Sequence, residues 1–196
     1  MALFRSAPPI AMGIAVADPP EASAAARRMA TLTHDGAGVV AAGPVGGLVS
    51  SLLSGTPLPD ALDSSLAEAA ADDWLADGLR DALALIADSP SPFAAIPGLI
   101  ARFAPRNYSH PGTVAETLPL ALAILRATDG DHERALPLAM SIARHQDSLP
   151  ALVGALCGAL GSEVDGSAVD LLQGVTVPAL AGTSLRDDAE ELAGRR

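Results

Sequence analysis

The sequence predicts an all-α protein, a compact helical bundle of about nine or ten helices with no sheet. Apolar residues make up 49% of the chain but aromatic residues only 3%, so the core must consist mainly of Ala, Leu, Val and Ile. Such small side chains favour closely packed helices over a β-sandwich. No segment shows the sustained apolar–polar alternation of a half-buried strand. All three observations indicate the same fold class.

The chain length predicts one domain. Its 196 residues are enough to bury a sizeable core,. No fixed-period repeat divides the sequence. We therefore predict a single helical domain over residues 1–196.

Proline, glycine and short polar residues mark the ends of the predicted helices. Asp18 followed by Pro19 and Pro20 is a typical helix start, and that helix ends at about Thr33,. Its Arg27-Arg28 pair is typical of a solvated helix face. The pattern assigns no element to the apolar residues 1–17. Further helices are predicted at 37–54, 60–71, 74–87, 93–103, 113–127, 131–143 and 167–173, with a charged terminal helix at 186–196.

An uncharged segment, LPALVGALCGALGS at 149–162, predicts the central helix. Gly154 and Gly158 lie four residues apart and stack on one face of a helix. A helix that is apolar all round is normally buried, and this one is too short to span a bilayer. We therefore predict that 148–161 is the most buried helix, capped by Asp147 and Ser148, and that Gly158→Leu would be strongly destabilising.

Charge and cysteine content exclude several classes of protein. The net charge of −11 argues against a nucleic-acid binder, whose contact surface would be basic,. Cys157 is the only cysteine, so no disulfide framework is possible, and we expect it to be a small buried core residue. The first residues form a poor signal peptide. We expect a cytoplasmic protein with no membrane association.

The residues His145-Gln146-Asp147-Ser148, followed by GALCGA at 154–159, resemble the D-T-D-T motif and apolar helix of the ADP-ribosylglycohydrolases. Asp147 and Ser148 match the second acid and its hydroxyl, whereas His145 replaces the first acid. The segment Val114 to Leu122 is similar to the family's V-A-E-S-L-P-A-A-L, and Thr33-His34 to its T-H-x-x-P turn. The resemblance implies the family's helical fold and covers the C-terminal half of a family member.

The resemblance also implies functional residues around this motif. In the family the motif binds two magnesium ions that hold ADP-ribose, which implies Asp147 and Ser148 as metal ligands. His145 and Asp147 would then be the catalytic residues. The simpler interpretation of Asp147 and Ser148 is a helix N-cap.

Three other residues are candidates for binding the ligand: His34, Asp35 and Tyr108. The resemblance places His34 near the ribose or phosphate and Asp35 in the same turn near the ligand site, and Tyr108 could stack on a base. Each has an ordinary alternative. His34 can complement a helix C-terminus, Asp35 can serve as a turn residue, and Tyr108 can pack on its own loop.

Magnesium is implied by the family but suits these residues poorly. A hard cation prefers carboxylate and hydroxyl oxygens, whereas the imidazole of His145 suits zinc or iron better. The T-D-D metal motif of the family's first half is expected to be absent from this sequence. We therefore expect the isolated chain to bind magnesium weakly or not at all, unless a partner chain supplies acids.

Three hypotheses for function follow. The chain could be a subunit of an active glycosidase that hydrolyses an ADP-ribosyl or other ribosyl bond. It could be a degenerate member that keeps the fold and binds an ADP-ribose-like or nucleoside-like ligand. It could also use His145 as a general acid or base on another substrate. The sequence favours the second, in a homo-oligomer or with a complementary N-terminal-half protein.

Overall fold

The structure is a computed structural model that describes residues 6–104, 112–163, 166, 169 and 181–194. Tyr108 lies outside these residues, as does nearly all of the predicted helix at 167–173. The described residues form ten α-helices and two short 3-10 helices and contain no strand, which confirms the all-α prediction.

The helices follow the chain with short connections. The 3-10 helices span Pro92–Ala95 and Ala143–His145. The α-helices are α1 Ala7–Ala15, α2 Pro19–Ala30, α3 Gly36–Leu53, α4 Leu58–Ala69, α5 Asp73–Ala87, α6 Ile96–Phe103, α7 Val114–Thr128, α8 His132–Met140, α9 Leu149–Ala159 and α10 Leu185–Ala193.

Helix starts follow local chemistry. The Asp18 carboxylate accepts a hydrogen bond from the backbone N–H of Glu21 at 2.9 Å and so caps α2,. Helix α1, for which the sequence pattern assigned no element, has Pro8 and Pro9 in its first turn. Prolines are tolerated there because the N–H groups of that turn have no partner within the helix. The tandem prolines therefore open a helix.

Helices α3 and α7 form the centre of the bundle. Twelve of the fifteen residues of α7 are buried, against α5, α8 and α9. Helix α3 packs against α1, α2 and α4, and it also contacts α7 and α9. One continuous hydrophobic core, with residues from Ala37 to Cys157, joins the helices around α3 to those around α7. The bundle is therefore organised around two central helices.

The prediction that residues 148–161 form the most buried helix is wrong. Only five of the eleven residues of α9 are buried, among them Leu152 and Leu156. A methyl group added at Gly158 would meet no heavy atom within 4 Å among the described residues, so the tight contact at Gly158 on which the predicted effect of Gly158→Leu depends is not found there. The leucines of α9 face the core, whereas its small residues face outward.

The small-residue face of α9 borders an apolar groove of about 340 Å³. Ile10 and Ile14 of α1 line its other side, together with Val49 and Leu53 of α3. Such a surface is unlike the close helix contact that the glycine spacing predicts. We refer to it as the α1–α9 groove.

Among the described residues, α3 is the one helix long and apolar enough to cross a membrane. Two-thirds of it, 67%, is buried within the bundle. This packing is that of a core helix. Its high apolar content is explained by its central position.

Candidate functional site

The motif residues lie where α8 connects to α9. The backbone N–H of His145 donates to the carbonyl of Ile142 at 3.0 Å, which closes the short 3-10 helix. The N–H of Ser148 then donates to the carbonyl of His145 at 3.1 Å. These two turns direct the chain into α9, whose first turn contains Pro150.

His145 is completely buried, with 0% of its surface exposed. Its Nε2 lies 2.8 Å from the carbonyl oxygen of Phe103, the last residue of α6, and 3.1 Å from Oε2 of Glu116 in the first turn of α7. Both neighbours are acceptors, so Nε2 must bear the proton. The imidazole thereby ties three separate segments of the chain together.

The other ring nitrogen of His145 has a different environment. Nδ1 is buried and has no hydrogen-bond partner among the described residues. In the tautomer that the Nε2 contacts require, Nδ1 holds a lone pair unless the ring is charged. A charged ring would pair directly with the Glu116 carboxylate.

Arg144 completes a cluster around the Glu116 carboxylate. Its Nε lies 4.0 Å from Oε2 of Glu116, and the two side chains are only 21% and 14% exposed. Glu116 thus faces an imidazole and a guanidinium at once. The sequence analysis included Glu116 only within the segment Val114 to Leu122 that resembles the family. The available signal was a carboxylate within the otherwise apolar stretch that begins α7.

Asp147 and Ser148 lie nearer the surface than the buried His145. Asp147 is exposed, and the hydroxyl of Ser148 lies 3.1 Å from its Oδ1 and 3.4 Å from the carbonyl oxygen of His145. Ser148 is the N-cap residue of α9, but its side chain makes no capping hydrogen bond. Ser148 therefore occupies the predicted N-cap position, but the predicted side-chain capping hydrogen bond is not formed. The motif separates into a buried half and an exposed half.

The residues present do not fit a two-magnesium site. Asp147 is the one carboxylate of the motif and stands in solvent, while Nε2 of His145 is engaged by Phe103 and Glu116. No group of three His, Cys, Asp or Glu side chains that could hold a metal occurs in the described part of the chain. A pair of divalent cations needs more oxygen ligands than Asp147 and Ser148 provide.

The remaining candidates lie elsewhere in the bundle. His34 follows α2, is partly exposed, and its Nδ1 lies 2.8 Å from the hydroxyl of Thr33. Asp35 is the exposed N-cap residue of α3, and its side chain makes no capping hydrogen bond. Both belong to the α2–α3 turn, whereas His145 lies between α8 and α9. Tyr108 is outside the described residues, so its predicted role stays a prediction.

Comparison with known proteins identifies the family. No curated protein and no solved structure matches the chain. Residues 2–196 match the family model described as ADP-ribosylglycohydrolase, which is essentially the whole sequence. The all-α bundle is the fold of that family. The chain belongs to the ADP-ribosylglycohydrolase family.

Proposed function

We propose that this chain is a degenerate family member that binds an ADP-ribose-like or nucleoside-like ligand and works with a partner chain. The burial of His145 supports this proposal most directly. At the position where the resemblance expects a metal-binding acid, the chain has an imidazole with 0% exposure and bonds to Phe103 and Glu116. Such a side chain stabilises the fold instead of holding a cation.

Asp147 and Ser148 would then contact the ligand directly. Their oxygens lie at the start of α9, the end of a helix that carries unpaired N–H groups and positive partial charge,. A carboxylate accepts hydrogen bonds from ribose hydroxyls, while the helix end favours a phosphate. This arrangement can bind a nucleotide without any metal.

An active glycosidase subunit is the second candidate, because Glu116 lies 3.1 Å from Nε2 of His145. A carboxylate that orients an imidazole is a common feature of general acid–base sites. His145 and Asp147 would then share the site. Burial of His145 means that the α8–α9 connection would have to move before a substrate could reach the ring.

The α1–α9 groove supports the partner part of the proposal. Its lining is almost entirely aliphatic, including Ile10, Ile14 and Ala155. A second copy of the chain or a complementary N-terminal-half protein would cover it. We expect sedimentation of the purified chain to give a species heavier than its 19.6 kDa mass. A single monomeric species at micromolar concentration would contradict the homo-oligomer.

Titration calorimetry and a hydrolysis assay test the proposal. We expect ADP-ribose to bind with an affinity that magnesium does not change, and no release of ADP-ribose from a mono-ADP-ribosylated protein. Asp147→Ala should weaken binding about tenfold, the cost of one charge-assisted hydrogen bond. Asp88→Ala, at an exposed acid after α5, is the matched control. Magnesium-dependent release of ADP-ribose would favour the glycosidase, and a lack of binding would refute the proposed function.

A further inference from the structure

A polar pocket of about 440 Å³ lies between α2, α3 and α4, apart from the motif at His145. Prolines 19, 20 and 44 form part of its wall, and serines line much of the remainder. Among the described residues that line it, Glu68 is the one ionisable side chain. The pocket is large enough for a small organic molecule.

Ser23 and Arg27 hold the Glu68 carboxylate in place through one of its two oxygens. Its Oε1 accepts hydrogen bonds from the hydroxyl of Ser23 at 2.5 Å and from the Arg27 guanidinium at 2.7 Å and 3.2 Å. Arg27 is not part of the pocket lining. The described residues give Oε2 no hydrogen bond. One carboxylate oxygen is therefore fixed, and the other remains available.

Three of the four serine hydroxyls that line the pocket donate their protons to other groups of the protein. Ser23 donates to Glu68, Ser64 to the carbonyl of Asp60 at 3.0 Å, and Ser65 to the carbonyl of Pro44 at 3.1 Å. Each of these hydroxyl oxygens can still accept a hydrogen bond. With Oε2 of Glu68, the pocket offers several acceptors, one of them on a carboxylate whose other oxygen is paired with Arg27 at 2.7 Å. It lacks matching donors, apart from the hydroxyl of Ser51.

We propose that this pocket binds a primary alkylammonium compound, with its ammonium at Oε2 of Glu68 and its methylenes against the prolines. An ammonium group has three N–H donors and no acceptor, so it matches an acceptor-lined site. A neutral alcohol or an anion would bring acceptors that find few donors here. The net charge of −11 also attracts cations,. This proposal does not depend on the nucleotide-like ligand proposed for Asp147.

Glycines of α3 create the space for this arrangement. A methyl group at Gly43 would lie 2.5 Å from Oε1 of Glu68 and 2.8 Å from the hydroxyl of Ser23. Gly43 therefore makes room for the hydrogen bond between Ser23 and Glu68. A methyl group at Gly47 would meet Pro19 O and the Ser23 Cβ only at 3.4 Å, and Oε2 of Glu68 at 3.8 Å. Gly47→Ala should therefore fold normally and cover the free oxygen with an apolar group.

The test is titration calorimetry of the full chain with butylamine at neutral pH. Butan-1-ol and butyltrimethylammonium serve as comparison ligands, since the first lacks the charge and the second lacks N–H donors. We expect butylamine to bind at least about tenfold more tightly than either. Gly47→Ala and Glu68→Gln should each weaken butylamine binding by about tenfold or more, since each removes access to a charge-assisted hydrogen bond.

Gly158→Ala is the control, because Gly158 lies on α9 and outside the pocket lining, and a methyl group there meets nothing within 4 Å among the described residues. It should bind butylamine as the wild type does. Circular dichroism should show all variants folded. The proposal is overturned if butylamine does not bind at millimolar concentration, if butan-1-ol binds equally well, or if Gly47→Ala binds like the wild type.

Discussion

Replacing His145 with aspartate would introduce the acid that the family resemblance predicts at this position. His145 has no exposed surface, and its Nε2 donates towards the Phe103 carbonyl at 2.8 Å and the Glu116 carboxylate at 3.1 Å. An aspartate carboxylate cannot donate to either acceptor. It would also place a second negative charge beside Glu116. We therefore expect His145→Asp to be strongly destabilising.

The magnitude follows from the burial of the two charges. A buried charge without a partner, here the new Asp carboxylate, costs about 3–5 kcal/mol, and a buried acceptor without a donor, here the Phe103 carbonyl, costs about 1–3 kcal/mol. Arg144 still lies beside Glu116 and offsets part of this cost, so we expect a loss of about 4 kcal/mol at neutral pH. That is a large part of the roughly 5–15 kcal/mol that stabilises a typical domain.

The loss should depend on pH with a definite sign. Burial beside Glu116 raises the pKa of the new Asp carboxyl in the folded state above its value in the unfolded chain. The penalty is therefore absent below the unfolded pKa and grows as pH rises towards neutrality. Below that pKa the protonated carboxyl can also donate to Phe103 or Glu116. His145→Asp should thus lie closer to the wild type at pH 4 than at pH 7.

Urea unfolding followed by circular dichroism measures the effect. His145→Gln should lose less stability than His145→Asp, because an amide N–H can still donate to Phe103. Asp147→Asn, at the exposed half of the motif, should stay within about 0.5 kcal/mol of the wild type. A His145→Asp protein as stable as the wild type at pH 7 would refute this reasoning. Recovery of stability on adding magnesium would show that the position can bind a metal.

Two further predictions concern packing and the thiol. Gly78→Ala should lower the free energy of unfolding by about 2 kcal/mol, because its methyl group would lie 2.8 Å from Ala115 O and from Pro119 Cγ,. Gly158→Ala should raise the free energy of unfolding by up to about 1 kcal/mol, because alanine has the higher helix propensity. The urea midpoints of the two variants measure this difference. Burial raises the pKa of the Cys157 thiol from 9.0 to about 11. Native Cys157 should therefore resist alkylation at pH 8, and the free energy of unfolding should fall as pH rises above about 9, because the unfolded thiol ionises first,. Rapid alkylation under native conditions would contradict this.

Most helices could be predicted because their ends depend on local chemistry. Asp18 before two prolines, or Asp72 before α5, caps a helix with its own side chain,. Buried Cys157 was also predictable, because a small thiol in an apolar segment usually packs in the core,. Signals of this kind lie within a few residues of one another, so the sequence contains them in full.

The rank of the helices by burial could not be predicted in the same way. Both α7 and α9 are apolar, but α7 contains larger residues on every side, while one side of α9 consists of glycine and alanine. Small residues at a spacing of four fit a close helix contact and also fit an open groove. Only the position of α1 and α3 decides between them, and the spacing within α9 contains no information about that position.

The partners of charged residues are also hard to predict when they lie on another helix. The Arg27-Arg28 pair is typical of a solvated face, and Arg28 fits this pattern, with an exposed ion pair to Glu21. Arg27 instead reaches Glu68, 41 residues along the chain, with both side chains about one-third exposed. The partner belongs to another helix, so no local pattern could identify it. The alkylammonium pocket depends on that contact.

The motif at His145 shows what a family resemblance can and cannot predict. The motif lies in the connection before α9, which local turns of the chain determine. The chemistry of the position depends on residues far away in the sequence, since Phe103 lies 42 residues before His145. An acid at this position would be unstable against the Phe103 carbonyl and Glu116, whereas an imidazole can donate a hydrogen bond to them. At the position where the resemblance predicts a metal-binding acid, His145 and Glu116 therefore form a buried link between helices.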